Sequence, residues 1–327
     1  MRAAFVTRFG APDVIEVSDV PDPVPGSGEI SIDVTYAAVG LIDVFIRQGL
    51  YKDRRGLPQP PYVPGLEVAG TVREVGDGVD GLTVGEPVVT LSGTGAEGGY
   101  AQIEVVDARF AVSLGSSGVD PALAVAAVPN AATAYLALTQ VAHLQAAETV
   151  LVHGALGGLA SAFPGVARSL GASRVVGTVR STSLPIAESA GLPYDQLIAS
   201  EDFPDGLNGE RFDVVIDPVG GDLRTASLGV MAQLGRLLAV GNASGDWQHN
   251  VDSNRLWLSN LAILGFNIGL YLPTHLELAR PAAEGALKAV SAGLLNVPTD
   301  ILPLDQAPEA HRRIEAGQVN GRILLAP

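Results

Sequence analysis

The sequence contains no cysteine. Disulfides, thiolate nucleophiles and cysteine-ligated zinc are therefore excluded, while the redox compartment stays open. Histidine is scarce too: five residues (143, 153, 249, 275 and 311) are dispersed along 327 positions. Without a thiolate beside them they offer no zinc-ligand pattern, so no structural or catalytic metal is expected. Positive charge is also short, with 20 Lys and Arg against 35 Asp and Glu and a net charge of −15. That field repels a phosphate backbone, and no basic patch offsets it, so nucleic acid is not an expected partner. A small nucleotide is not excluded, because backbone donors and one or two placed cations act at short range. Long membrane-type runs are missing as well. The opening MRAAFVTRFGAPDVIEV reads as strand, turn and strand, and the apolar stretch from Ala122 to Leu138 is alanine-rich and interrupted at Pro129-Asn130. A buried helix is expected there, no membrane is an expected partner, and the cytoplasm is the expected location.

What is present is glycine (39) and proline (22), spread between apolar segments as turn residues. Over the first 110 residues these segments are rich in Val, Ile and Thr: EISIDVTYAAV (29–39), EVAGTVREVG (67–76) and GEPVVTL (85–91). A β-rich unit is expected, with a short helix from Leu41 to Gly49 and a polar loop from Tyr51 to Tyr62. Near Asp120 the pattern changes to strand alternating with helix. The predicted strands, with the turns that follow some of them, lie in the segments 148–158, 173–179, 194–200, 212–221, 235–245 and 261–269, with helices at 122–139, from the glycine turn through Leu170, around 183–190 and at 223–233. That spacing predicts a parallel sheet covered on both faces. In the tail, a helical run at 274–293 carries Pro281, expected to break or kink it, and strands at 298–302 and 321–327 flank a helix at 307–316. The expected division is a β-rich domain over 1–120, a dinucleotide-binding domain over 121–265 and a tail over 266–327 that returns to the first, with a ligand cleft between the domains.

The sharpest local signal is ETVLVHGALGG, in which the strand Val150–Val152 runs into His153-Gly154-Ala155-Leu156-Gly157-Gly158-Leu159-Ala160 and then a helix. Such a turn lets a pyrophosphate approach backbone N–H groups at the positive end of a helix. The G-x-G-x-x-G fingerprint is imperfect, since Ala155 and Ala160 stand at its first and third glycine positions, and Pro164 is expected to interrupt the helix. At the end of the next strand, where an NAD site usually places an acid, the chain reads Gly177-Thr178-Val179-Arg180-Ser181-Thr182. A guanidinium flanked by hydroxyls suits the extra phosphate of NADPH better than a bare ribose. DPVGG (217–221) and GNASG (241–245) follow later strands at the same sheet edge. Asp217 is read as satisfying loop N–H groups and His153 as packed or bonded to backbone.

The ordered segments AAVGLIDVFIRQGLY (37–51), PYVPGLEVAGTVREVGDGVDGLTVGE (61–86), GGYAQ (98–102), TAYLAL (133–138), VLVHGALGG (150–158), GNASG and NGRILLAP resemble the zinc-independent quinone oxidoreductases, the zeta-crystallin-like branch of the medium-chain dehydrogenase/reductase superfamily. The resemblance spans essentially the whole chain. It implies a GroES-like catalytic domain, an inserted Rossmann domain, a homodimer, and hydride transfer from nicotinamide C4 of NADPH to a quinone. The alternatives are reduction of an activated C=C bond in an enone or 2-enoyl thioester, or NADPH binding without catalysis. It further implies that Thr133 lies beside the nicotinamide and that Gly157 and Gly158, with neighbours Ala155, Leu156 and Leu159, hold the pyrophosphate. Arg180 and Ser181 then sit near the adenosine phosphate. Gly241, Asn242 and the segment Phe266, Asn267 and Ile268 approach the nicotinamide, and Asn320, Gly321 and Arg322 help close over the cofactor.

The departures concern the reacting end. Gly40 stands where the family often has asparagine, Phe45 replaces a tyrosine, and Glu86-Pro87 replaces Asp-Arg. Where zinc-dependent relatives carry Gly-His-Glu, this chain has Gly65-Leu66-Glu67, so a structural hydrogen bond is the expected role of Glu67. Without a Lewis acid, alcohol oxidation lacks a stabiliser for the alkoxide, whereas reducing a quinone or enone spreads negative charge onto an oxygen that a few donors can hold. Candidate proton donors are Tyr51, then Tyr135, then Tyr62, with Asp43 orienting a donor or capping a strand end, and solvent as the remaining source.

Overall fold

The computed structural model describes residues 1–53, 56–91 and 98–327. Contacts divide it into one unit of residues 1–132, 268–291 and 297–327, and another of 133–267 and 292–296.

The first unit opens with β1 (Arg2–Val6), β2 (Ile15–Asp19), β3 (Glu29–Val39) and α1 (Leu41–Arg47). It continues through β4 (Val68–Val75), β5 (Pro87–Thr90), β6 (Ile103–Asp107) and β7 (Ala111–Ser113) to α2 (Pro121–Leu136). β-branched residues alternating with turn glycines produce these short antiparallel strands, as the sequence predicts. α2 continues through Pro129, in keeping with the helix expected over 122–139, and ends in a π-helical turn over Ala137–Val141. In that turn Ala142 N–H reaches Ala137 O at 2.9 Å, and Thr139 Oγ1 donates to Tyr135 O at 2.7 Å. Pro121–Val141 is apolar and long enough to cross a membrane, but 83% of its apolar 18-residue stretch is buried inside the protein. It is a core helix.

The second unit contains β8 (Thr149–Val152), α3 (Phe163–Ser169), β9 (Arg174–Val179), α4 (Leu184–Ser189), β10 (Gln196–Ala199), β11 (Phe212–Asp217), α5 (Asp222–Ser227), β12 (Met231–Ala239), α6 (Ser253–Ser259) and β13 (Ala262–Gly265). Its strands form one parallel sheet in the order β10-β9-β8-β11-β12-β13. β8 at the centre and its outward neighbours on both sides make the doubly wound order whose crevice lies at the carboxyl ends of the strands. Leu151, Val176, Phe212, Val215 and Leu237 are fully buried in its core, each contributing about 1.5–3 kcal/mol by leaving water. The helix predicted over 223–233 is shorter: α5 stops at Ser227, a 3-10 turn covers Leu228–Val230, and β12 starts at Met231. The apolar run looked helical, but Met231 pairs with Phe212 across the sheet, and Leu234 takes φ +64° in a bulge.

The tail adds α7 (Ile268–Tyr271), α8 (Ala279–Ser291), β14 (Thr299–Pro303), α9 (Ala307–Glu315) and β15 (Arg322–Ala326). β14 and β15 complete a seven-stranded sheet ordered β14-β15-β3-β4-β5-β7, with β6 on β3. The run expected to break or kink at Pro281 is not one rod: 3-10 turns over Leu272–Thr274 and Leu276–Leu278 precede α8, and Pro281 lies inside α8 without kinking it. It is the third residue of α8, in the first turn, where a missing N–H costs no helical bond.

Candidate functional site

β8 delivers the chain to the glycine loop. Gly154 turns it with φ +65°, which a side chain would resist. Ala155 N–H bonds Thr178 O at 2.8 Å and Gly157 N–H bonds Gly154 O at 2.7 Å. Two of the loop's donors are thus consumed internally, and the Ala155 and Leu156 side chains are core rather than ligand-facing. Leu156 and Leu159 N–H make no hydrogen bond among the described residues. The loop does not open directly into an α-helix. A 3-10 turn over Ala160–Ala162 intervenes, and Pro164 is the second residue of α3, satisfying its missing N–H by position. Close seating of this loop depends on Gly177 in β9, where a Cβ would lie 2.8 Å from Ala155 Cβ and 2.9 Å from Tyr194 Cε1. The Tyr194 hydroxyl donates to Ala155 O at 3.2 Å, and burial pushes its own ionisation upward.

Beneath the loop His153 is fully buried between β9 and α5. Its Nδ1 lies 3.0 Å from Thr178 Oγ1 and its Nε2 2.8 Å from Ser227 Oγ. Ser227 donates its own proton to Leu223 O, so Nε2–H is the donor to Ser227 and Nδ1 the acceptor from Thr178. Burial holds the imidazole neutral, its pKa lowered to about 4. The ring is packed, as one of the two expectations had it, edge-on against Phe203 with centroids 4.9 Å apart, and its hydrogen-bond partners are side-chain hydroxyls.

The turns after β11 and β12 lie against each other. Ala243 and Ser244 N–H bond Pro218 O and Val219 O at 3.0 and 2.8 Å. Asp217 Oδ1 accepts from Val219 and Gly220 N–H, as expected, while Oδ2 accepts from Arg224 Nε at 2.6 Å. Arg224 also donates to Gly241 O at 3.0 Å. Sequence reasoning missed Arg224, which ties Gly241 to Asp217. Asn242 Oδ1 accepts from Ser244 Oγ.

The β9 end holds a larger surprise. Arg180 and Ser181 are exposed there, and Ser181 N–H and Oγ both donate to the Glu201 carboxylate at 3.1 and 3.0 Å. The β9 end has no acid in its own segment, but one arrives from the 3-10 turn that follows the neighbouring strand β10. Parallel register supplied the signal: Ala199 pairs with Val179, so Glu201 and Ser181 are each two residues past a paired position. Bonds from its own backbone N–H and from Ser181, with the Arg180 charge, hold the Glu201 carboxyl below its ordinary range.

Thr133 is buried and Tyr135 half-buried on α2. Phe266 is buried, its N–H bonded to Ala239 O at 3.1 Å, with Asn267 exposed beyond it and Ile268 opening α7.

In the β-rich unit, the structure gathers a second set of groups. Gly40 N–H donates to Asp43 Oδ2 at 2.8 Å, closing the start of α1. Asp43 is almost fully buried, and the Tyr100 hydroxyl also reaches it. Burial, then the Glu67 charge, pushes Asp43 up to about 7 against the pull of Gly40 N–H and Arg322. Tyr100 OH lies 3.3 Å from His311 Nε2. His311 is neutral, lowered to about 3 by burial and by Arg47. Tyr100 and His311 were not anticipated as partners of Asp43. Arg47, fully buried, donates to Gly10 O at 2.8 Å and pairs with Glu315.

Arg322 opens β15 and is buried. Its Nη2 donates to Glu67 Oε2 at 2.6 Å inside the unit. A buried carboxylate demands such a partner. The same bond bears out the structural role expected of Glu67. Gly321 before it has φ +92°, and a Cβ there would lie 2.1 Å from Pro298 O; Asn320 is half-buried. Among the catalytic candidates, Tyr51 packs edge-on against Phe45 with centroids 6.2 Å apart. The Tyr62 hydroxyl is buried without a hydrogen-bond partner, and burial and the Asp43 charge raise its ionisation. Asp43 therefore both caps and meets a phenol, that of Tyr100. Among the described residues no group of three or more His, Asp or Glu is arranged to hold a metal ion.

A mostly antiparallel β unit completed by the tail, and a six-stranded parallel sheet with its glycine loop after the central strand, define a medium-chain dehydrogenase/reductase. The sequence matches the alcohol dehydrogenase GroES-like domain over residues 26–116 and the zinc-binding dehydrogenase domain over residues 194–325. The NADPH-complexed quinone oxidoreductase of Escherichia coli is 26% identical with a TM-score of 0.84, and 100% of each chain is covered. A Pseudomonas syringae quinone oxidoreductase is 27% identical with a TM-score of 0.86, covering 100% of this chain and 99% of that one. The human synaptic vesicle membrane protein VAT-1 homolog is 27% identical over 348 residues, covering 100% of this chain and 86% of the relative. Within the superfamily, the chain belongs to the zinc-independent, quinone-oxidoreductase-like family.

Proposed function

We propose that this protein is an NADPH-dependent reductase of small hydrophobic quinones. The observation that carries the cofactor assignment is the pair of Ser181 donors converging on one anion beside the Arg180 guanidinium. An extra phosphate on the adenosine ribose is the anion such a cluster suits. Relatives crystallised with NADPH support the same reading. Leu156 and Leu159 N–H, with Gly157 and Gly158, are the proposed pyrophosphate contacts. Thr133, Gly241, Asn242, Phe266, Asn267 and Ile268 are proposed for the nicotinamide end. NADPH, when bound, supplies a hydride to the acceptor.

The chain's own residues bind, orient and keep water out. His153 is neutral and bonded on both nitrogens, so it supports the loop and moves no proton. A reduced quinone is a stable oxyanion and takes its proton from solvent, whereas an enone needs a placed donor. Tyr51, Tyr135 and Tyr62 remain the proposed donors, with Asp43 holding the polar network beside Tyr62. We also propose a homodimer. β13 is an edge of the parallel sheet with no strand beyond it among the described residues, and Trp257 and Leu258 just before it are 74% and 72% exposed. The cytoplasm is the proposed location.

The test is NADPH consumption with benzoquinone, naphthoquinone and an enone, together with dinucleotide titrations. Turnover with the quinones supports the reading, and activity confined to the enone replaces quinone by an activated double bond. Arg180→Ala should weaken NADPH about five- to tenfold and leave NADH unchanged. Equal loss for both dinucleotides removes Arg180 from the phosphate site.

A further inference from the structure

The donors that suit the adenosine phosphate are not idle in the free protein. Ser181 N–H contacts both Glu201 oxygens, at 3.4 and 3.1 Å, and Ser181 Oγ contacts Oε1 at 3.0 Å. A carboxylate and a phosphate dianion cannot share two donors and one guanidinium without strong like-charge repulsion. Glu201 is also well suited to yielding the position. It lies in a short 3-10 turn, Ser200–Asp202, is exposed, and its carboxylate regains water when it swings away.

We propose that Glu201 is a built-in competitor for the 2′-phosphate of NADPH, occupying the Ser181 donors until the cofactor displaces it and so setting the NADPH-to-NADH preference. The inference rests on the NADPH reading and adds a specificity-determining residue to it. A bare ribose makes no such demand. With NADH, Glu201 can stay on Ser181, where its remaining lone pairs can accept from a ribose hydroxyl. The enzyme is thereby less discriminating than Arg180 and Ser181 alone would make it. Parallel register is what fixes the competitor, since Ala199 lies opposite Val179 and the chain delivers Glu201 beside Ser181.

The experiment compares Glu201→Gln and Glu201→Ala with wild type in fluorescence titrations of NADPH and NADH on the full chain. NADPH should tighten about three- to tenfold in both variants, in the range of removing one exposed like charge. NADH should stay constant or weaken slightly. A second arm titrates 2′-phospho-AMP against AMP, which reads the phosphate pocket without nicotinamide and should move by the same factor. An unchanged NADPH-to-NADH ratio, or weaker NADPH binding because Ser181 has lost its anchor, overturns the proposal. Wild type binding neither dinucleotide sinks the reductase reading and this inference with it. Wild type binding both, with the ratio unmoved in the variants, sinks this inference alone.

Discussion

Two buried polar networks, one in each unit, solve the same desolvation problem in opposite ways. Under the glycine loop, His153 is neutral, and both ring nitrogens meet hydroxyls, those of Thr178 and Ser227. In the β-rich unit, Asp43, Glu67, Arg322, Arg47, Tyr100 and His311 bring ionisable groups together. Hydrogen bonds alone satisfy the first network, so it carries no charge across the physiological range. The second needs charge pairing, so removing one member strands another.

The comparison is broken hardest at the Glu67–Arg322 pair. Arg322→Met keeps most of the side-chain volume but leaves Glu67 buried without its guanidinium. The expected cost is about 3–5 kcal/mol, read as a lower urea midpoint at unchanged slope. A loss near the value for an exposed pair, under about 1 kcal/mol, would mean water reaches Glu67 and the second network is not dry. The matching change in the first network is His153→Leu. Thr178 loses its acceptor and Ser227 a donor, and the cost should be about 1–3 kcal/mol. The sign with pH follows from the lowered pKa, about 4 against an ordinary 6.5. The unfolded chain takes up a proton in that window and the folded chain does not. Wild-type stability therefore rises with pH between those values, and His153→Leu should remove that part of the slope.

The same contrast explains what could be read in advance. β3 over 29–39 and the strand before the glycine loop are local patterns of apolar and β-branched residues, and they emerge with nearly the expected bounds. Arg180 and Ser181 were visible as a strand end lacking an acid. Glu201 was not, because its meeting with Ser181 depends on which strands are neighbours and in what register. Arg224, which ties Gly241 to Asp217, is likewise a contact across two strand ends. Tyr100, His311 and Asp43 come from three distant stretches: Tyr100 meets Asp43 within the first 132 residues, and the returning tail brings His311 to Tyr100. Periodicity reports which face a residue occupies, not which partner waits there. The shortened α5 is the same lesson in backbone: TASLGVM fits a helix locally, and sheet pairing at Met231 overrides it.

The finest test of the comparison is Asp43→Asn. Asparagine keeps the acceptor for Gly40 N–H, so the start of α1 survives while the titration is removed. Asp43 titrates near 7 in the folded chain against an ordinary 3.8. The folded state therefore holds a proton that the unfolded state has lost, and stability falls as pH rises through that interval, with the full penalty above 7. His153 and His311, with lowered values of about 4 and 3, tilt the curve the other way as the histidines of the unfolded chain titrate around 6.5. Variant and wild type share both histidines, so their contributions cancel in the difference, which reports Asp43. Between pH 6.5 and 7.5 the variant should gain less than about 1 kcal/mol on wild type, measured as the change in the difference between their thermal midpoints. A constant difference would mean that Asp43 is already ionised at pH 6.5, stabilised by Tyr100 and Arg322 more than it is penalised by burial. In that case the charged network, like the neutral one, would be silent at physiological pH.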